Sequence, residues 1–213
     1  CKDVVNAEQI SAFLGILHQR SETQAELLGF LQYLRKPTAL IELENEIVID
    51  TCGTGGDNKG TFNISTATAL ILASGGVKVA KHGGRATSSH CGSADVLEIL
   101  KIPTCVNPAA VKHGLNSFGF AFLFAPQFNP LIKSINPLRK KLGITTCFNL
   151  LGPLLNPVNI KRRVLGVYSK QMMRPLIEIL LQLNFDEAMV VHSQDGLDEV
   201  SISAPTDVLY LKQ

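Results

Sequence analysis

The sequence predicts the α/β class: a small N-terminal helical domain joined to a larger α/β domain with a mostly parallel sheet. Three observations carry this. Residues 6–35 repeat apolar side chains at helical spacing, Ile10, Phe13, Leu14 and Leu17 in one set and Leu27, Leu28, Leu31 and Leu34 in the next. From Ile47 onward, short apolar runs alternate with helical segments, the pattern of βαβ units. Glycine-rich knots follow two of the expected strands, at the carboxyl ends where such sheets place ligands.

The helical part comes first. Asn6 to Gln9 and Ser21 to Gln24 each place a capping residue three positions before a glutamine. Two short helices joined by a short loop make an αα-hairpin. Its apolar faces must dock on the rest of the chain or on a second subunit. In the second part, strands are expected at 47–51, 77–80, 119–124, 163–168 and 187–192, with short strands near 199–202 and 206–211. Helices are expected at 66–74, 93–100, 108–116 and 171–183. The proline-rich stretch 126–157 predicts a short helix ending near Leu142-Gly143, then an ordered loop with buried leucines. The domain reading is 1–45 helical and 46–213 α/β, with 126–157 a candidate contributor to the helical side. The chain opens on Cys1 already leading into a helix, so residues are expected upstream.

Composition narrows the function classes. With 213 residues, 46% hydrophobic and 18% charged, the chain is globular and not disordered. A net charge of +2 is too small to argue for nucleic acid. The five cysteines are scattered and odd in number, with no CxxC, which argues against a zinc site or a disulfide framework. Reduced thiols and a cytoplasmic location are expected. The most apolar segment, Ala67 to Ala80, is interrupted by Gly75-Gly76, so no membrane span is expected.

The first knot runs from Val48 to Thr66, VIDTCGTGGDNKGTFNIST. It fails the dinucleotide pattern G-x-G-x-x-G, because the third glycine position is Asn58. It fails the P-loop pattern too, because Thr61-Phe62 follows Gly60. The logic of an anion site survives: glycines let backbone N–H groups approach a ligand. Ser65 and Thr66 would cap the next helix or lend hydroxyls to an anion at its positive end. The second knot, Lys78 to Asp95, brings Lys81, His82 and Arg85 together with Gly83-Gly84, Ser88-Ser89 and Gly92-Ser93. A third feature, His192 to Ser201, places Asp195, Asp198 and Glu199 at another strand end. Carboxylates beside a phosphate site suggest Mg²⁺ held partly by substrate phosphates. Together these predict transfer of a group whose leaving group is pyrophosphate.

The motifs GTGGD, NIST, KHGGR, GSADVLE, RKKLGITTCFNLLGPLLNP and DGLDEVS, in this order, cover nearly the whole chain. This set resembles the anthranilate phosphoribosyltransferase family. The resemblance implies a nucleoside-phosphorylase/phosphoribosyltransferase-like two-domain fold and a homodimer formed through the helical domains. It implies transfer of phosphoribosyl from 5-phosphoribosyl-1-pyrophosphate (PRPP) to anthranilate with Mg²⁺, in tryptophan biosynthesis, through an oxocarbenium-like transition state without a covalent enzyme intermediate. Carried over, Gly53, Thr54, Gly55, Gly56 and Asp57 would hold the ribose and pyrophosphate end of PRPP. Asn63, Ser65, Thr66, Lys81 and Ser93 would bind its phosphates. Ser65, Asp198 and Glu199 would serve the metal. Arg139 would meet the anthranilate carboxylate, with Gly53, His82, Gly84 and Gly152 lining the same pocket and His82 placing the amine. No residue is implied as acid or base. The chain departs from the family at Gly84, usually Asn, and at His90-Cys91, usually Lys-Ser. It also stops at Gln213, short of the usual end, so the last part of the α/β domain is expected to be absent. Two alternatives follow: a phosphoribosyltransferase or phosphorylase with a different acceptor, suggested by Gly84, and a non-catalytic nucleic-acid-binding relative, disfavoured by the near-neutral charge and the acidic pair.

Overall fold

The structure, a computed structural model, describes residues 6–38, 40–43, 47–86, 91–105 and 107–213. It opens with the hairpin of α1 (Ala7–Arg20) and α2 (Gln24–Arg35). The first start is the expected box: Asn6 Oδ1 accepts from the Gln9 N–H at 2.8 Å, and Gln9 Oε1 accepts from the Asn6 N–H at 3.0 Å. The second start differs. Thr23, not Ser21, caps α2, and it pairs with Glu26. Ser21 sits in the turn at φ 64°, a conformation that cannot lead into a helix.

The rest alternates as expected. In order come β1 (Val48–Gly53), α3 (Ile64–Ser74), β2 (Lys78–Gly83), α4 (Ser93–Ile99), α5 (Pro108–Phe118) and β3 (Phe120–Phe124). Then follow α6 (Ala125–Phe128), α7 (Pro130–Leu142), α8 (Cys147–Leu151), a 3-10 turn at Gly152–Leu155 and β4 (Arg162–Gly166). A 3-10 turn at Lys170–Met172 leads into α9 (Met173–Gln182), β5 (Glu187–Ser193) and β6 (Thr206–Lys212).

The strands form one sheet in the order β3-β2-β1-β4-β5-β6, parallel except for β6. The chain builds outward one way from β1, then restarts on its other side with β4. The crevice beyond the carboxyl ends of β1 and β4 is therefore the topological switch point, where open α/β sheets bind ligands.

Two segments differ from the sequence reading. Residues 199–202 form no strand, because hydroxyls take the backbone groups a ladder would use. Ser193 Oγ donates to Glu199 O at 2.6 Å and accepts from the Ser201 N–H at 3.0 Å. The stretch expected as an ordered loop is helical at Cys147–Leu155, although its leucines are buried as expected. Gly143, at φ 66°, donates its N–H to Arg139 O and stops α7 at the expected place.

Leu14, Leu17, Leu27, Leu31 and Leu34 of the hairpin share one core with Leu150, Leu151, Leu154, Leu155, Leu165 and Leu176. A smaller cluster of Ala69, Val79, Leu97 and Phe122 joins α3 and α4 to β2 and β3. Cys52, Cys91, Cys105 and Cys147 are free thiols, while Cys1 lies outside the described residues. Among the described residues, no helix is long and apolar enough to cross a membrane.

Candidate functional site

The first glycine knot closes around a carboxylate. Gly53 ends β1, Gly166 ends β4, and the two are in register. The acidic loop after β5 returns over both. A methyl on Gly53 would lie 2.6 Å from Asp198 Oδ2, and one on Gly166 would collide with the Asp198 backbone oxygen. The two strand-end glycines thus make the slot that Asp198 fills. Gly55 then donates its N–H to Asp198 Oδ2 at 2.7 Å. Gly55 and Gly56 hold φ of 62° and 87°, values that favour glycine.

Helix α3 begins at Ile64, so Ser65 and Thr66 lie in its first turn and do not cap it. The Ser65 N–H donates to Glu199 Oε1 at 3.2 Å. Thr66 Oγ1 donates to Ser93 Oγ at 3.0 Å, which ties α3 to α4.

The three cations of the second knot do not form an open cationic cluster. Lys81 is fully buried, its ammonium satisfied by Thr51 O at 2.6 Å and Ser65 Oγ at 3.1 Å. Arg85 pairs with Asp95 and Glu98, each at 2.7 Å. His82 is held neutral: burial pushes its pKa down to about 4, against the pull of Asp50. Ser88, Ser89 and His90 lie outside the described residues.

The acidic pair is strained electrostatically. Burial, then the charge of Asp57, pushes Asp198 up to about 6, with the Gly55 N–H opposing. Burial, then Asp198, pushes Glu199 up to about 7, with Lys81 and the Ser65 N–H opposing. Asp57 Oδ2 is buried without a hydrogen-bond partner. Hard, crowded oxygen donors whose charges repel one another fit a divalent cation. Among the described residues, no three His, Cys, Asp or Glu side chains cluster closely enough to hold a metal by themselves. A cation here would draw its remaining oxygens from a ligand or water.

The opposite end is built by α7 and α8. Arg139, buried on the last turn of α7, donates from Nη1 to Asn136 Oδ1 at 3.3 Å and from Nη2 to Asn149 Oδ1 at 3.1 Å. Its guanidinium lies 5.5 Å from the Phe148 ring centroid, and its Nε has no partner. Burial lowers its pKa, and among the described residues no carboxylate is bonded to it. His82 Nε2 is buried and, among the described residues, unpartnered. Behind it, Asp50 accepts from the His82 N–H at 3.4 Å and pairs with Arg163 at 3.0 Å, both side chains almost wholly buried. Arg163 also donates to Pro153 O at 2.6 Å, which fixes the Gly152-Pro153 turn. Among the described residues, a methyl on Gly84 would meet nothing within 4 Å.

One cleft of about 440 Å³ runs past every expected site residue except Thr66 and Lys81, which support it from beneath. Sequence reasoning missed Gly166, Asn149, Phe148 and the Asp50–Arg163 pair. Opposite charges within two buried strands were the available signal for that pair.

Residues 45–213 match the glycosyl transferase family, a/b domain. The chain belongs to this family. An anthranilate phosphoribosyltransferase of a Geobacillus species (strain WCH70) is 51% identical over 97% of the chain, and one of Bacillus caldotenax is 50% identical over 96%. The chain spans 61% of the first relative's length and 84% of the second's. Among solved structures, anthranilate phosphoribosyltransferase from Saccharomyces cerevisiae in complex with PRPP and Mg is 33% identical. It superposes with a TM-score of 0.82, over 99% of this chain and 63% of that one. The resemblance drawn from the motifs, and the α/β class with its mostly parallel sheet, therefore hold. For a glycosyl transferase, this cleft offers crowded carboxylates and turned backbone N–H groups at one end, and an uncompensated guanidinium at the other.

Proposed function

We propose that the protein transfers phosphoribosyl from PRPP to anthranilate, releasing pyrophosphate and N-(5-phosphoribosyl)anthranilate. The observation that carries this is the single cleft joining the Gly53–Asp57 loop and the acidic pair to Arg139. Gly53, Thr54, Gly55, Gly56 and Asp57 would receive the ribose and pyrophosphate, with Asn63, Ser65 and Ser93 at the phosphates. Lys81 and Thr66 would act indirectly by orienting Ser65 and Ser93. Ser65, Asp198 and Glu199 would hold Mg²⁺, which when bound would offset charge on the departing pyrophosphate.

Arg139 would hold the anthranilate carboxylate and point the amine at the anomeric carbon, with Gly152 and Gly84 lining the ring. The amine lone pair forms the new C–N bond as the C–O bond to pyrophosphate breaks, its electron pair leaving with the pyrophosphate, and the proton that the amine then sheds passes to solvent. His82, neutral above about pH 4, offers Nε2 as an acceptor to the amine N–H. Positioning and electrostatics supply the acceleration, with no covalent intermediate.

The helical domain at 1–45 would carry a homodimer contact, supported by the exposed Phe13, Ile16 and Tyr33. Residues 126–157 would belong with it, supported by the bond from Asn129 Nδ2 to Leu34 O at 2.8 Å.

The test is loss of anthranilate fluorescence when PRPP and Mg²⁺ are added to the full-length protein. Consumption supports the reading, and none overturns it. The open space at Gly84 favours a second reading, a larger acceptor. Transfer to such an acceptor with none to anthranilate would establish it.

A further inference from the structure

The acceptor arginine is held in an unusual way. A buried guanidinium is ordinarily paired with a carboxylate, because an unpaired buried charge is costly. Arg139 instead rests on two neutral amide oxygens, Asn136 Oδ1 and Asn149 Oδ1. Amide oxygens fix the fork without cancelling its charge. Asn149 is the more elaborately placed of the two. It is buried at the start of α8, where its Oδ1 also accepts from the Thr146 N–H at 3.0 Å. Its Nδ2 reaches across the cleft wall to donate to Thr54 O at 3.3 Å. Thr54 lies in the glycine loop that follows β1. One side chain therefore touches both the acceptor arginine and the loop at the opposite end.

We infer that Asn149 is a positioning residue for the acceptor: it orients Arg139 without neutralising it, and it ties Arg139 to the glycine loop through the Thr54 carbonyl. This rests on the proposed reading of Arg139 as the anchor for an acceptor carboxylate. Two consequences are specific to it. An aspartate at 149 keeps the acceptor oxygens but supplies a negative charge that competes with the substrate carboxylate for one guanidinium. The same aspartate removes the donor to Thr54 O, so binding at one end no longer steadies the other.

The experiment compares anthranilate with anthranilamide, which lacks the carboxylate charge, as acceptors for the full-length protein with PRPP and Mg²⁺. Asn149→Asp should cut the preference for anthranilate, as the ratio of kcat/KM values, by about tenfold or more, because the introduced carboxylate competes at close range. The loss should fall in the KM for anthranilate, with the KM for anthranilamide little changed. A merely structural role would lower both acceptors alike. Asn136→Asp on α7 repeats the charge change without touching Thr146 or Thr54, so the test survives if Asn149→Asp does not fold. Asn136→Asp should lower the ratio but leave the cooperativity between PRPP and anthranilate binding, read by calorimetry, as in the parent. An unchanged ratio in the folded variants, with the parent active, overturns the inference alone. A parent inactive on both acceptors overturns the proposed function and the inference with it.

Discussion

The two ends of the cleft are built on opposite principles. The end at Gly53–Asp57 and Asp198-Glu199 is made of backbone in close contact. Missing β-carbons at Gly53 and Gly166 let the acidic loop lie against the sheet, and Gly55 closes on Asp198. The end at Arg139, His82 and Gly84 is made of side chains with spare valences and open space. Among the described residues, Arg139 Nε and His82 Nε2 have no partners, and nothing lies within 4 Å of a β-carbon added at Gly84. A tight backbone cradle tolerates almost no change. A side-chain pocket should respond in proportion to the bond altered.

The largest effect is therefore expected at the cradle. Gly166→Ala forces the Asp198 backbone to move, and a shift of about 1 Å in such a site costs on the order of 100-fold in turnover. Overpacking should also lower stability by roughly 1–3 kcal/mol, read by denaturant unfolding. A variant with normal turnover would show that the contact has slack.

The next effect is the pH dependence of stability at His82. Its folded pKa of about 4 lies below the ordinary 6.5. Between these values the unfolded chain takes up a proton that the folded protein refuses, so stability is full above about pH 6.5 and is lost as pH falls towards 4. The loss amounts to about 3 kcal/mol. Unfolding curves of the parent and His82→Asn should converge by that amount over this range. Parallel pH profiles would mean that His82 is not held neutral. Arg139→Gln should raise the KM for anthranilate by roughly 10- to 100-fold, the worth of a charge-assisted bond, while the KM for PRPP stays near the parent value. Steady-state kinetics checks both. Gly84→Asn should change least. A β-carbon there meets no described atom within 4 Å, so stability should hold, and one added hydrogen bond should lower the anthranilate KM by less than about tenfold.

The same contrast explains what the sequence made legible. The cradle is local: strand, glycines, loop and helix follow one another from Val48 to Thr66, so its strand-loop-helix order is legible from the sequence alone. The Asn6–Gln9 box and the Gly143 stop are local in the same sense. Ser21 has the residue type of a cap, and only its φ of 64° rules it out. The strand expected at 199–202 failed because Ser193, several residues away, takes its backbone groups. The burial of Lys81 against Thr51 O and Ser65 Oγ has no signal in the sequence, since spacing does not tell a buried ammonium from an exposed one. Asn149 was illegible for the strongest reason. Its partners Thr54 and Arg139 lie 95 and 10 residues away, and only the folded chain brings them together.

The most direct test of a cleft with two separable ends is PRPP binding, measured by calorimetry with Mg²⁺ on the full-length protein and on Arg139→Gln and Gly166→Ala. PRPP should bind Arg139→Gln as it binds the parent and should bind Gly166→Ala far more weakly. Equal loss in both variants, or loss in Arg139→Gln alone, would contradict the assignment of PRPP to the glycine cradle.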